Sequence, residues 1–155
     1  MNRVLSITKA ISDQNRLRIL LALSENTELC ACQITELLQT AGATVSRHLT
    51  VLTHAGLIQS RKQGRWVYFC LIEDPANSML LTWLTRGLKD TAQIVSDRTA
   101  LGLILSENPE DICRKQRGES CCPVKETKED ECPAGDKDEL KTEQSHKNNT
   151  KRNVS

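Results

Sequence analysis

The sequence predicts a mainly α-helical chain with a small β-hairpin wing: a winged helix-turn-helix, dimeric through its terminal helices. Three observations carry that prediction. Two short amphipathic segments flank a Gly-containing break, TAGA at 40–43, which is the pattern of a helix-turn-helix. Directly after the second segment, GLIQSRKQGRWVYFCLI at 56–72 changes from a helical period to alternation, the signature of paired strands. A further apolar stretch then runs from Asp74 to about Leu105. It is helical in pattern and too apolar to stand alone, so its face is expected to pair with a second copy of the chain.

The elements follow in order. VLSITKAI at 4–11 reads as a short helix. Asp13 suits the N-cap of a second, QNRLRILLALSE, with Leu17, Leu20 and Leu21 on one stripe. A third spans Cys32 to Gln39 and would bury Ile34, Leu37 and Leu38. TVSRHLTVLTHA at 44–55 forms the fourth, its apolar Val45, Leu49 and Leu52 recurring at i, i+4, i+7, with Gly56 as a stop signal. In the hairpin, Lys62, Gln63 and Gly64 are expected at the tip. Asp74 and Pro75 open the long helix as N-cap and N1, with Leu80, Leu84, Leu88 and Val95 on its apolar face. NPEDICRKQRG at 108–118 adds one more short helix, capped by Asn108 and carrying Cys113.

Length and charge bound the organisation. The 155 residues suit one domain with appendages. Residues 1–105 carry 11 Lys+Arg against 8 Asp+Glu, whereas residues 106–155 carry 10 against 12. Only 9 of those last 50 residues are apolar, 4 of them cysteines, too few to offset chain entropy. A domain at 1–105 and a polar, largely disordered, Cys-containing tail at 106–155 are therefore expected. The N-terminus lacks the apolar run of a signal peptide, and no stretch approaches the ~18 apolar residues of a membrane span. The expected location is the cytoplasm. Seven cysteines in that compartment read as ligands, redox groups or core residues rather than a disulfide framework.

The second helix of a helix-turn-helix presents its N-terminal residues to base edges in the major groove. Here that end carries Thr44, Ser46, Arg47 and His48 outside the apolar stripe, and the wing adds Arg61, Lys62 and Arg65. Arg suits bidentate contact with guanine, and basic wing residues suit phosphates. The expected partner is double-stranded operator DNA. An enzyme is not expected, because Cys121 and Cys122 form no Cys-x-x-Cys on a βαβ pattern.

ELCACQITELL at 28–38 poses a separate problem. On a helix, Cys30 and Cys32 point to nearly opposite sides; on an extended segment they would share one. Two thiols that are to hold one ion must distort the first turn of a helix that precedes the DNA-reading helix.

AISDQNRLRILLAL, ELCACQITELL and TVSRHLTVLTHAGLIQSRKQGRWVYFCL together resemble the ArsR/SmtB family of metal-responsive repressors, over roughly residues 5–95. The resemblance implies a homodimeric winged-helix repressor released from its operator by a metal or metalloid. ELCxC is similar to the thiolate motif of arsenic-responsive members and is shared by cadmium and lead sensors, so As(III) or Sb(III) is the implied inducer and Cd(II) or Pb(II) the alternative. Thiolates select such soft ions. Three departures stand out. Ala41, Gly42 and Ala43 occupy the start of the recognition helix, where family members often carry a Gln; Thr35 stands where the arsenic sensors often have a third cysteine; and residues 76–105 hold no His for the family's other metal site. The third sulfur must then come from elsewhere: Cys121 or Cys122, or else Cys113 or Cys132, with Cys70 read as a strand residue. The same thiols leave open a repressor of this fold that senses oxidants or persulfides.

Overall fold

The computed structural model describes residues 2–117. In chain order the elements are α1 (Asn2–Ile11), α2 (Gln14–Glu25), β1 (Leu29–Cys30), α3 (Ala31–Leu38), α4 (Gly42–His54), β2 (Ile58–Gln63), β3 (Trp66–Leu71), α5 (Pro75–Leu88), α6 (Ala92–Ser106) and α7 (Pro109–Arg117). The helix-turn-helix is α3–α4 and the wing is β2–β3. No helix among the described residues is long and apolar enough to cross a membrane.

Local signals set most of the boundaries. Asp13 accepts the Arg16 backbone N–H at 3.0 Å and caps α2. Asp74 does the same for α5, accepting from Ala76 at 2.8 Å, with Pro75 at the first helical position. Asn108 accepts from Glu110 at 3.0 Å at the start of α7. α4 ends in a Schellman motif: Gly56 adopts φ 69°, its N–H donates to the Thr53 carbonyl, and that of Leu57 donates to Leu52. The hairpin closes two residues later than expected. Gln63 pairs with Trp66, so the tip is Gly64–Arg65, and Gly64 takes the left-handed φ of 57° that a two-residue loop requires.

The expected single helix from 74 to 105 is two helices. In an unbroken helix the Leu88 carbonyl would accept the Ala92 N–H. Instead it accepts both the Thr91 N–H at 3.0 Å and the Thr91 hydroxyl at 2.7 Å. Asp90 and Thr91 are residues whose side chains compete with the helical ladder, and Thr91 becomes the extended N-cap of α6. The break folds the apolar face back onto the chain. Leu84 is buried, Leu80 and Leu88 pack against the core, and α6 lies on α2 and α3 through Ile94, Leu101 and Ile104; only Val95 of the expected self-pairing face stays exposed.

The sheet has a third strand that alternation did not reveal. Two residues, Leu29 and Cys30, pair antiparallel with Phe69 and Tyr68, giving the order β1-β3-β2. The core beneath it joins Ile19 and Leu20 of α2, Ile34 of α3, Val45 and Leu52 of α4, and Ile58 of β2. α7 packs on α3 and contributes Ile112, 2% exposed, to the same core. The packed part of the chain thus passes the expected boundary at 105 and reaches Arg117.

A buried ion pair ties three helices together. Arg18 of α2 grips Asp97 of α6 in a bidentate pair, Nε to Oδ2 at 2.7 Å and a terminal N–H to Oδ1 at 2.8 Å. The same guanidinium donates to the Leu37 carbonyl of α3 at 3.0 Å. Removing one partner would strand the other charge away from water. Asp97→Ala is expected to lower stability by about 3–5 kcal/mol, read from urea unfolding.

Candidate functional site

α3 begins at Cys30, which is at once the last residue of β1 and the N-cap of the helix. Its backbone is extended, φ −77° and ψ 156°. Its Sγ accepts the Gln33 backbone N–H at 3.4 Å, and its own N–H donates to Gln33 Oε1 at 2.8 Å. This is a capping box with a thiol in the place of a hydroxyl. Cys30 is 1% exposed. Burial pushes its thiol pKa up, against the lowering effect of the backbone N–H bonds.

Cys32, half-buried, lies within the first turn of α3. Its sulfur is joined to that of Cys113 on α7 in a disulfide, with a Cα–Cα distance of 5.4 Å, ordinary for such a pair. Gln116 fastens the same two helices, its amide donating to the Cys32 carbonyl at 3.0 Å and to Glu36 Oε2 at 3.1 Å. Cys70 is buried in β3, as a strand residue. Cys121, Cys122 and Cys132 lie outside the described residues. Among the described residues, no three of His, Cys, Asp and Glu stand together as an ion site. The Cys30 sulfur thus caps α3 while that of Cys32 is tied to α7, and Cys113, ranked behind Cys121 and Cys122 by sequence, is the cysteine brought to Cys32.

A salt bridge links this junction to the wing. Glu28, immediately before β1, takes Arg61 of β2 through two contacts of 2.8 and 2.6 Å. Arg61 also donates to Gln63 and lies over the Tyr68 ring, 4.8 Å from its centroid. Tyr68 is the register partner of both Cys30 and Arg61. Burial first, then the charges of Cys30 and Glu28, raise its phenol pKa.

The residues expected to face DNA divide into two groups. Thr44, Ser46 and Arg47 are exposed on α4, and Lys62 and Arg65 are exposed on the wing. Arg65 lies over Trp66 at 5.1 Å. The other two are engaged within the fold. His48 is turned inward, its side chain 12% exposed and Nδ1 3.6 Å from Asp13 Oδ1. Arg61 is paired with Glu28. Sequence reasoning passed over Glu28, Gln33 and Gln116. Only Gln33 had a local signal, since Cys-x-x-Gln repeats the spacing of a capping box.

Residues 13–60 match the bacterial regulatory protein, arsR family. The chain is 32% identical over 116 residues to an arsenic resistance transcriptional regulator, ArsR2, of Pseudomonas putida, covering 75% of this chain and 95% of that protein. It is 42% identical over 67 residues to the arsenical resistance operon repressor of Escherichia coli, 43% of this chain and 57% of the repressor. Among solved structures, HlyU from Vibrio cholerae superposes with a TM-score of 0.53 at 26% identity, over 57% of this chain and 95% of that one.

The burial of Cys30 has a direct chemical readout. In the fully reduced protein at neutral pH, iodoacetamide is expected to label Cys32 faster than Cys30, as followed by peptide mass mapping. Labelling of Cys30 should rise about tenfold per pH unit while the thiol is below its raised pKa, because the thiolate is the nucleophile.

Proposed function

This chain belongs to the arsR family of bacterial regulatory proteins, and from that premise we propose that it is a homodimeric, cytoplasmic repressor which arsenite releases from operator DNA. Antimonite, as the other trivalent thiophilic ion, is expected to act in the same way; Cd(II) and Pb(II) are the competing soft ions. The relatives named for arsenic and arsenical resistance support the ion class.

One observation carries the reading. Cys30 caps the helix that precedes the recognition helix, and it is paired through Tyr68 to the wing. An ion that draws Cys30 and Cys32 together must take Cys30 from its cap. That displacement reaches both DNA-facing elements, α4 through its packing on α3 and β2 through β3. Coupling of this kind is reciprocal: DNA weakens ion binding by the factor by which the ion weakens DNA binding.

The second copy is expected on α1 and α5. Val4 and Leu5 are 67% and 53% exposed, and Met79 and Trp83 are 76% and 68% exposed. The Arg3–Asp74 ion pair at 2.9 Å brings the starts of these two helices together.

The Cys32–Cys113 disulfide favours a second reading, release by oxidation. Two thiols would give up two protons and two electrons to an oxidant such as peroxide, which is reduced to water.

Fluorescence anisotropy on labelled upstream DNA separates the readings. Reduced wild-type protein should leave the DNA as arsenite is added, while Cys30→Ser should bind DNA normally and stay bound. Release by peroxide alone would support the redox reading instead. In the same assay, Lys62→Ala should weaken binding to all sequences alike and reduce the salt slope by about 1. Arg47→Ala should cost about 1–3 kcal/mol and relax the preference at one base position.

A further inference from the structure

We propose that arsenite first binds between α3 and α7, on Cys32 and Cys113, and that Cys30 joins last, its departure from the helix cap being the step that disturbs the wing. This rests on the arsenite reading above and adds to it an assigned ligand and an order of binding.

Geometry favours that order. The sulfurs of Cys32 and Cys113 are already in contact between α3 and α7, with the Cα atoms of the two residues 5.4 Å apart. Once the disulfide is reduced, by a thiol reductant that supplies two electrons and two protons, small side-chain rotations open the pair enough to hold an ion. Gln116 keeps α7 seated on the first turn of α3 through Cys32 and Glu36, and Ile112 anchors it in the core. The pair Cys30 and Cys32 has no such advantage. Cys30 is locked by the Gln33 capping box and by its register with Tyr68, so using it first would break structure before any ion is held.

The chemistry is ligand exchange without redox change. Arsenous acid loses two hydroxides as water, each with one thiol proton, as two As–S bonds form to Cys32 and Cys113. The third As–O bond breaks in the same way when Cys30 adds. Only this last exchange removes the cap of α3 and loosens β1 from β3. Binding and release therefore separate into two steps carried by different cysteines.

The test uses full-length reduced protein with sodium arsenite, reading bound arsenic after desalting beside DNA anisotropy. Cys113→Ser should lose arsenite affinity by about a hundredfold, because a two-point attachment becomes a one-point one, with DNA binding unchanged. Cys30→Ser should retain arsenic yet stay on the DNA. A chain with Cys121, Cys122 and Cys132 all changed to Ser should behave as wild type. Arsenite protection of cysteines from alkylation in the wild-type chain gives an answer independent of any variant's folding: Cys113 should be protected together with Cys32. Wild-type release with Cys113 unprotected, or abolished by the triple replacement, would overturn the assignment. Failure of the wild type to release DNA, or to bind arsenite at all, would instead overturn the arsenite reading itself.

Discussion

The pairing of Leu29 and Cys30 with Phe69 and Tyr68 is the contact on which the rest of the arrangement turns. It is only two residues long, but β3 is the central strand, so β1 is hydrogen-bonded to the same backbone that carries the wing. At Cys30 that strand becomes helix without an intervening loop. The thiol does the work of an N-cap, and α3 then packs on α4, α6 and α7. A helix capped in this way has a definite origin and direction. Anything that moves the cap moves a rigid element whose far side supports the recognition helix. In the proposed repressor the path from thiol to DNA-facing surface is a set of physical contacts, with the capped first turn of α3 as the element that ion binding would have to change.

Charge is distributed by a similar logic. Three basic residues of the sequence serve the interior: Arg18 joins α2, α3 and α6 through Asp97 and Leu37, Arg61 is gripped by Glu28, and His48 turns toward Asp13. Arg47, Lys62 and Arg65 remain exposed. Phosphate contacts supply affinity through counterion release, so in the proposed DNA complex the salt dependence of binding is expected to rest on the exposed cations of α4 and the wing tip. The engaged residues hold the wing and the recognition helix in register, which sets where those cations stand relative to one another.

The thiols show how the same residue type divides by environment. Cys30, Cys70 and Cys113 are buried, while Cys32 is partly buried and joined to Cys113 of α7. Burial disfavours the thiolate and a nearby surface admits an ion or an oxidant. Within the motif Cys30 is the cap of α3, and Cys32 is the cysteine tied to α7.

Much of the fold was legible in the sequence because its signals are local. Asp13, Asp74 and Asn108 cap helices within their own first turns, Gly56 ends α4, and alternation from residue 57 onward marks the wing. The helix break at Thr91 was missed because an apolar stripe is compatible with either one helix or two, and the deciding bond is the capture of the Leu88 carbonyl. β1 was missed because two residues are too short to show a period. The partners Glu28–Arg61, Arg18–Asp97 and Cys32–Cys113 are separated by 33, 79 and 81 residues, and no periodicity reports on such distances. The sequence by itself determined most of the elements, among them the helix-turn-helix and the wing, and the presence of two thiols at the start of α3. Only tertiary packing decided that those thiols take different partners and that α7 brings a third cysteine to one of them, because side-chain partners across helices are set by how apolar faces such as that of Ile112 find the common core.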